Sequence, residues 1–111
     1  GLCSALHTYW SAVKAVFPEA WGKSPKKSRL MHPAGLRIMG RVMNRVLPAV
    51  DLAADDRIQQ AVRELKKVQP LCRWTDGVWE SLDRLAWDKL ENTTRHVDLV
   101  SNFLIRAYLT Q

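Results

Sequence analysis

The stretch that decides the fold reads Pro33-Ala-Gly-Leu-Arg-Ile-Met-Gly-Arg-Val-Met-Asn-Arg-Val-Leu47, and Pro48 follows it. Its apolar residues recur at helical spacing, and a proline suits the first helical turn because the missing N–H is not needed there. The pattern therefore predicts a helix over 33–47 that ends before Pro48. The predicted buried face comprises Leu36, Met39, Val42, Met43, Val46 and Leu47.

Two glycines lie inside this predicted helix, Gly35 and Gly40. A glycine in a helix interior costs about 1 kcal/mol relative to alanine. Helices accept that cost where another backbone or a ligand comes close. We therefore expect a close crossing at this part of the helix.

Other segments have the same helical period on both sides of this stretch. They predict further helices over 3–17, 54–68, 79–90 and 94–109, with Pro18 and Pro70 ending the first and third helices of the chain. No segment shows sustained period-two alternation, so no strand is expected. The sequence therefore predicts one all-α domain over 1–111, a compact bundle of about five helices with no sheet. In the predicted helix over 79–90, the apolar residues are Trp79, Leu82, Leu85, Ala86 and Leu90.

The positive charge is concentrated in one part of the chain. The formal net charge is +6, and residues 20–50 hold seven of the 17 Lys and Arg but none of the 11 Asp and Glu. A surface of this kind favours an anionic partner. The predicted nucleic-acid-binding residues are Lys23, Lys26, Lys27, Arg29, Arg37, Arg41 and Arg45.

These basic residues fall into two groups. Ser24-Pro25-Lys26-Lys27 resembles the Ser-Pro-Lys-Lys motif of DNA-binding tails and lies in a predicted loop. Arg37, Arg41 and Arg45, which we call the arginine row, are spaced four apart on one helix, and arginine binds phosphate bidentately. The hypothesis is that both groups contact nucleic-acid phosphates.

Two other interpretations stay open. In one, the charge has a purely structural role. It is then a solvated helix face with a flexible loop, or the arginines pair inside the fold with carboxylates, for which the candidates are Asp55, Asp56, Glu64 and Glu91. In the other, the acidic partner is a protein, and the domain is a helical packing or assembly module. Five tryptophans for this length, and a start at Gly1 without methionine, favour a module that docks on another part of a longer protein or on a second copy.

No chemical signature accompanies these features. Cys3, His7, His32, Cys72 and His96 lack the paired spacing of a metal site, and Cys3 and Cys72 are expected to be reduced and to pack as small core residues. There is no nucleophile elbow and no glycine-rich phosphate loop. The sequence therefore predicts a non-catalytic module with no metal and no cofactor. Apolar runs shorter than the ~20 residues of a membrane helix and the lack of a secretory signal predict a cytoplasmic protein that does not bind membranes.

Several short segments together carry a resemblance to a known family. They are Phe17–Trp21, Lys27–His32, Ala34–Gly40, Trp74–Trp79, Trp87, Glu91–Arg95 and Leu99–Arg106. On these residues the chain is similar to the C-terminal helical part of bacterial DGQHR-domain proteins, which are DndB-like and associated with DNA sulfur modification. The resemblance implies a cytoplasmic bacterial protein in a DNA-linked setting and supplies no functional residues. The Asp-Gly-Gln-His-Arg signature itself does not occur in the 111 residues, so the chain would correspond to the C-terminal portion only.

Overall fold

The computed structural model describes the backbone of residues 2–111 and the side chains of residues 3–111, so Gly1 lies outside the described residues. Within this range the chain forms four α-helices: α1 (Leu2–Val16), α2 (Pro33–Val46), α3 (Arg57–Leu65) and α4 (Thr94–Leu109). Two short strands, β1 (Val78–Trp79) and β2 (Leu85–Ala86), pair in an antiparallel sheet. Single 3₁₀ turns lie at Leu47–Ala49, Gln69–Leu71 and Trp87–Lys89.

The ends of α1, α2 and α4 agree with the predicted ends to within one residue, because residues at or next to those ends determine them. The Nδ1 atom of His32 accepts a hydrogen bond from Ala34 N at 3.1 Å and caps α2, while Pro33 occupies the first helical position. The Oγ1 atom of Thr93 accepts from His96 N at 3.2 Å and caps α4. These ends therefore depend on residues adjacent to the helices.

The helix α3 is shorter than the predicted span of 54–68. The segment before it turns instead, because the Oδ1 atom of Asp51 accepts from Ala53 N at 3.0 Å. The backbone of Asp51 also accepts from Ala54 N at 3.0 Å, and its N–H donates to Gln60 Oε1 at 2.9 Å. An aspartate that bonds the backbone just after it competes with helix formation. The helix consequently begins at Arg57.

The prediction of five helices with no sheet is wrong, and the error lies in residues 79–90. This segment forms a hairpin in which Trp79 pairs with Leu85, not a helix. The φ angles of Asp83 and Arg84 are 54° and 55°, and Leu85 N donates to Leu82 O at 3.1 Å, so the chain reverses in a tight turn. Positive φ at two consecutive non-glycine residues is incompatible with a right-handed helix.

Aromatic packing accounts for the hairpin. Trp79 is only 1% exposed and meets Trp74 edge to face at a centroid distance of 5.3 Å. Trp74 in turn meets Phe17 edge to face at 6.3 Å. Burial of three aromatic side chains in one cluster outweighs a local helical preference, because each removes a large apolar area from water.

The core lies between two packed pairs of helices, α1 with α3 and α2 with α4. Tyr9 on α1 donates its hydroxyl to Met39 O on α2 at 2.6 Å, so the two pairs are also joined by a buried hydrogen bond. Met39, Val42 and Val46 are buried on α2 as predicted. The prediction is wrong for Leu36, which is 40% exposed. The helix is rotated so that Ala34 and Ile38 are buried instead.

The two glycines of α2 have different environments. A Cβ atom at Gly35 would overlap the carbonyl oxygen of Arg29 and lie 2.8 Å from the carbonyl carbon, so the expected close approach exists there. A Cβ atom at Gly40 would meet nothing within 4 Å, so no such approach exists at Gly40. Only Gly35 has a packing reason to be glycine.

Candidate nucleic-acid interface

The lysines of the acid-free stretch lie on an exposed turn, residues 22–28, which we call the Lys loop. Lys23, Lys26 and Lys27 are all exposed. The carbonyl of Ser24 accepts from Lys27 N at 2.9 Å and from Ser28 N at 3.0 Å, so the turn has a defined backbone shape. Within the described part of the chain, none of the three lysines forms an ion pair with a carboxylate. Their charges therefore face solvent uncompensated.

Arg29 anchors the end of the Lys loop and uses its guanidinium for that purpose. Nη1 donates to Pro25 O at 2.7 Å, Nη2 donates to Asp88 O at 2.7 Å, and Nε donates to Leu90 O at 3.0 Å. The guanidinium carbon also lies 5.9 Å from the centroid of a Trp87 ring, within the range of a cation–π contact. Arg29 is thus occupied by contacts within the fold and sets the path of the loop.

Two of the three residues of the arginine row form polar contacts with α4 or with the segment just before it. Arg37 Nη1 donates to Asn92 Oδ1 at 2.8 Å. Arg41 Nη1 pairs with Asp98 Oδ1 at 2.5 Å and also lies 3.2 Å from Ser101 Oγ. Arg45 is exposed, and no carboxylate pairs with it in residues 2–111. The three arginines consequently differ in how much of their charge is available.

The internal pairing considered from the sequence does occur, but with a different carboxylate. The described salt bridges join Arg41 to Asp98 of α4, which was not among the four candidate acids. Asp56 Oδ2 instead lies 3.8 Å from Arg63 Nη2. Glu64 accepts hydrogen bonds from the ammonium of Lys67 and from the hydroxyl of Tyr108. Asp98 could not be chosen from the sequence, because the packing of α2 against α4 decides which carboxylate reaches Arg41.

The seven predicted residues therefore differ in how much positive charge they leave available to a partner. Lys23, Lys26 and Lys27 are free, Arg29 is used as an anchor, and Arg41 is neutralised. Gly35 brings the end of the loop against the first turn of α2, so the Lys loop joins the start of the helix that carries the arginine row. Arg37 retains its positive charge because its partner is a neutral amide.

A cleft beside the Lys loop contains residues that the sequence did not suggest. It has a volume of about 330 Å³ and lies between α1 and the turn that follows it. Trp21 forms part of its wall and packs on Trp10 at a centroid distance of 6.3 Å and an interplanar angle of 40°. The position of Trp21 directly before the basic run was the available signal. The lining residues are Ser11, Lys14, Ala15, Pro18 and Trp21.

A second cleft, of about 450 Å³, lies between the hairpin and α4. Leu99 at its edge is 40% exposed, and a half-buried Phe103 forms part of its wall. This surface carries less of the basic charge than the Lys loop. The lining residues are Ser81, Leu82, Leu99, Asn102, Phe103 and Arg106.

Burial makes two side chains packed in or against the core harder to ionise. Burial raises the pKa of the Cys72 thiol, whose sulfur lies 3.4 Å from Val68 O, and burial likewise raises the pKa of Tyr9. Cys72 is half-buried against the core, whereas Cys3 is exposed, so the expectation of a core role was wrong for Cys3. Among residues 2–111, no three His, Cys, Asp or Glu side chains converge as a metal-binding group.

Comparison with known proteins adds no relative. No family model matches the chain, and neither a curated protein nor a solved structure does. Over the described range, no helix combines the length and apolar character that crossing a bilayer requires.

Proposed function

We propose that this helical domain binds nucleic-acid phosphates through the Lys loop, with Arg37 and Arg45 as further contacts. The observation that carries the proposal is that Lys23, Lys26 and Lys27 are exposed on one ordered turn and no carboxylate of the described residues pairs with them. An uncompensated cluster of ammonium groups raises the local concentration of polyanions.

The residues proposed to contact phosphates are fewer than the seven basic residues of the acid-free stretch. Arg29 is a positioning residue, because its three nitrogens already donate to carbonyl oxygens. Arg41 contributes little net charge, because Asp98 lies against its guanidinium. The three lysines act as point charges on flexible stems, and Arg37 and Arg45 add guanidinium groups that bind phosphate bidentately, which suits contact with a phosphate backbone more than recognition of a base sequence.

The proposal is consistent with the resemblance to DGQHR-domain proteins, which implies a bacterial, DNA-linked setting. The domain would then be a non-catalytic part of such a protein. Neutralising phosphates with lysine releases condensed counterions, so binding falls steeply as salt rises. This salt dependence is the property that the experiment measures.

The test is binding of the 111-residue chain to a short random-sequence DNA duplex across about 50–200 mM salt, the range over which counterion release changes affinity strongly. In the double variant Lys26→Glu with Lys27→Glu, we expect weaker binding and a log–log salt slope that is smaller by about 2, since each duplex phosphate contact contributes about 0.9.

A matched control carries the same change in net charge elsewhere on the surface. Arg84 lies in the hairpin turn and Arg106 near the end of α4, and both are exposed. Arg84→Glu with Arg106→Glu should leave most of the affinity and slope intact. Equal losses in the two double variants would show that only overall charge matters, and no binding at low salt would refute the proposal.

A second candidate function is docking on another protein segment or on a second copy. The specific observation that favours it is Leu99, 40% exposed at the edge of the cleft between the hairpin and α4. Sedimentation velocity of the wild type and of Leu99→Glu tests self-association. A concentration-dependent dimer that Leu99→Glu dissociates supports this function, and a monomer at every concentration argues against the second copy as the partner.

A further inference from the structure

From the position of the cleft next to the Lys loop, we infer that it receives unpaired nucleobases, and that the preferred nucleic acid is single-stranded. The inference rests on the proposed function, because it uses the lysines of the Lys loop as the phosphate contacts. It adds the class of nucleic acid and a second set of residues, centred on Trp21.

The cleft provides an aromatic wall held in a fixed position. Trp21 is half-buried and packs on Trp10, which itself meets Tyr9 edge to face at 5.2 Å. The backbone N–H of Trp21 donates to Phe17 O at 3.0 Å, so the indole is attached to the end of α1. A rigid indole beside a cleft of about 330 Å³ suits a flat aromatic ligand.

One lysine lines this cleft, and the Lys loop follows Trp21 directly along the chain. Lys14 on α1 lines the cleft, and the Lys loop leaves Trp21 through Gly22, whose φ of 82° turns the chain. Lys23 is therefore two residues from the indole along the chain. A strand whose phosphates contact these ammonium groups would have its bases within reach of the cleft.

Aromatic side chains combined with a positively charged track are the usual means of binding single strands without sequence preference. In a duplex the faces of the bases are covered by stacking on one another, so they cannot enter a cleft unless they are unstacked at a cost. The charge of the Lys loop alone accounts for phosphate contact, and an unpaired base supplies the flat aromatic face that suits an aromatic cleft at the same place.

The test compares two single strands of equal length and charge, oligo(dT) and an abasic strand, each about 12 nucleotides long, within the known range of about 4–16 per binding site. The 111-residue chain should bind oligo(dT) more tightly than the abasic strand. The expected difference is about fivefold to 150-fold, the effect of stacking one base on an aromatic side chain.

Trp21→Ala should abolish this difference and leave the affinity for the abasic strand unchanged. Thermal melting checks that the variant folds, because Trp21 packs on Trp10. If Trp21→Ala is unfolded, Ala15→Leu provides the same test, since Ala15 is exposed and lines the cleft, and a larger side chain there fills it. Trp21→Phe should retain part of the preference.

Failure of the inference is distinguishable from failure of the proposed function. Equal, salt-dependent affinity for oligo(dT), the abasic strand and a duplex would overturn the cleft as a base site and leave the phosphate contacts of the Lys loop in place. Equal binding of a polyglutamate chain would also overturn it, because an acidic peptide carries no base. Binding to none of the probes at low salt would overturn both.

Discussion

The Lys loop and the arginine row come from the same acid-free stretch, yet the fold treats them differently. Lys23, Lys26 and Lys27 are exposed on a turn, and no carboxylate within the described range pairs with them. Arg37 donates to the amide oxygen of Asn92, just before α4, and Arg41 pairs with the carboxylate of Asp98 on α4. A count of charges in the sequence is therefore not a count of available charges, because a packed neighbour can compensate one group and leave another free.

The contact between the end of the Lys loop and the start of α2 should be the part of the fold most sensitive to substitution. In Gly35→Ala the new Cβ atom would overlap the backbone of Arg29, which cannot move aside as a side chain can. We expect the free energy of unfolding to fall by about 3 kcal/mol or more, as for severe overpacking. Urea denaturation of the two alanine variants at Gly35 and Gly40 measures this.

The matched control is Gly40→Ala, which lies in the same helix with nothing within 4 Å of the added atom. It should raise the free energy of unfolding by about 0.5–1 kcal/mol, because alanine loses less conformational entropy in a helix. Similar stabilities for the two alanine variants would contradict the close approach at Gly35.

The anchor of the Lys loop should have the next largest effect. Arg29→Lys replaces a planar group that reaches three carbonyl oxygens by a single ammonium. We expect a loss of about 2 kcal/mol in the free energy of unfolding. Trypsin should also cleave faster after Lys26 and Lys27, because the loop loses its attachment. Arg45→Lys is the control and should change neither quantity; unchanged cleavage in Arg29→Lys would speak against the anchor.

The difference in available charge between the arginine row and the Lys loop is tested by removing one cation from each. Arg41→Ala should lower the free energy of unfolding by about 1.5 kcal/mol, the sum of a half-exposed ion pair and a hydrogen bond to Ser101. Lys27→Ala should change it by less than about 0.5 kcal/mol, as for an exposed side chain without partners. DNA affinity should show the reverse order. If Arg41→Ala weakens binding more than Lys27→Ala, the division between the two regions is wrong.

The smallest expected effect is a pH dependence at the start of α2. Burial and the positive charge of Arg29 lower the pKa of His32 below its usual 6.5, against an opposing effect of Glu91. The folded state therefore binds this proton less readily than the unfolded state, so the stabilisation is complete above pH 6.5 and is lost as the pH falls below it. Protonation of Nδ1 removes the acceptor for Ala34 N.

The loss should be about 0.5 kcal/mol, the lower end of the range for a helix cap. His32→Asn keeps a capping acceptor that does not titrate, so this part of the pH dependence should disappear in the variant. Chemical denaturation of both proteins between about pH 5 and 7.5 checks it, a range that brackets the ordinary pKa of histidine. Parallel profiles for the two proteins would show that His32 does not contribute.

Sequence reasoning succeeded where the deciding interactions join residues close together in the chain, and it failed where they join distant ones. Pro33 and Thr93 fixed the starts of α2 and α4, because both act on backbone within a few residues. The segment over 79–90 was predicted as a helix, since its apolar spacing fits one, and the decisive contact of Trp79 is with Trp74, outside the segment. Each strand is only two residues long, too short for alternation to be visible.

The candidate site shows the same limit. The sequence identified all seven basic residues and the loop that holds three of them, because charge and Pro25 are read directly from the chain. It did not identify Asp98 as the partner of Arg41, or Lys14 and Trp21 as neighbours at one cleft. Such pairs depend on how the helices cross, which no local pattern encodes.

The amino-acid sequence by itself determined where three helices lie, where the positive charge is concentrated, and that a polar loop joins α1 to α2. These properties follow from backbone preferences and charge, which each residue carries with it. Only the tertiary structure decided that Arg29 is an anchor, that Arg41 is neutralised and that the lysines stay free. The availability of a charge depends on which distant carboxylates and carbonyls packing brings within hydrogen-bond distance of it.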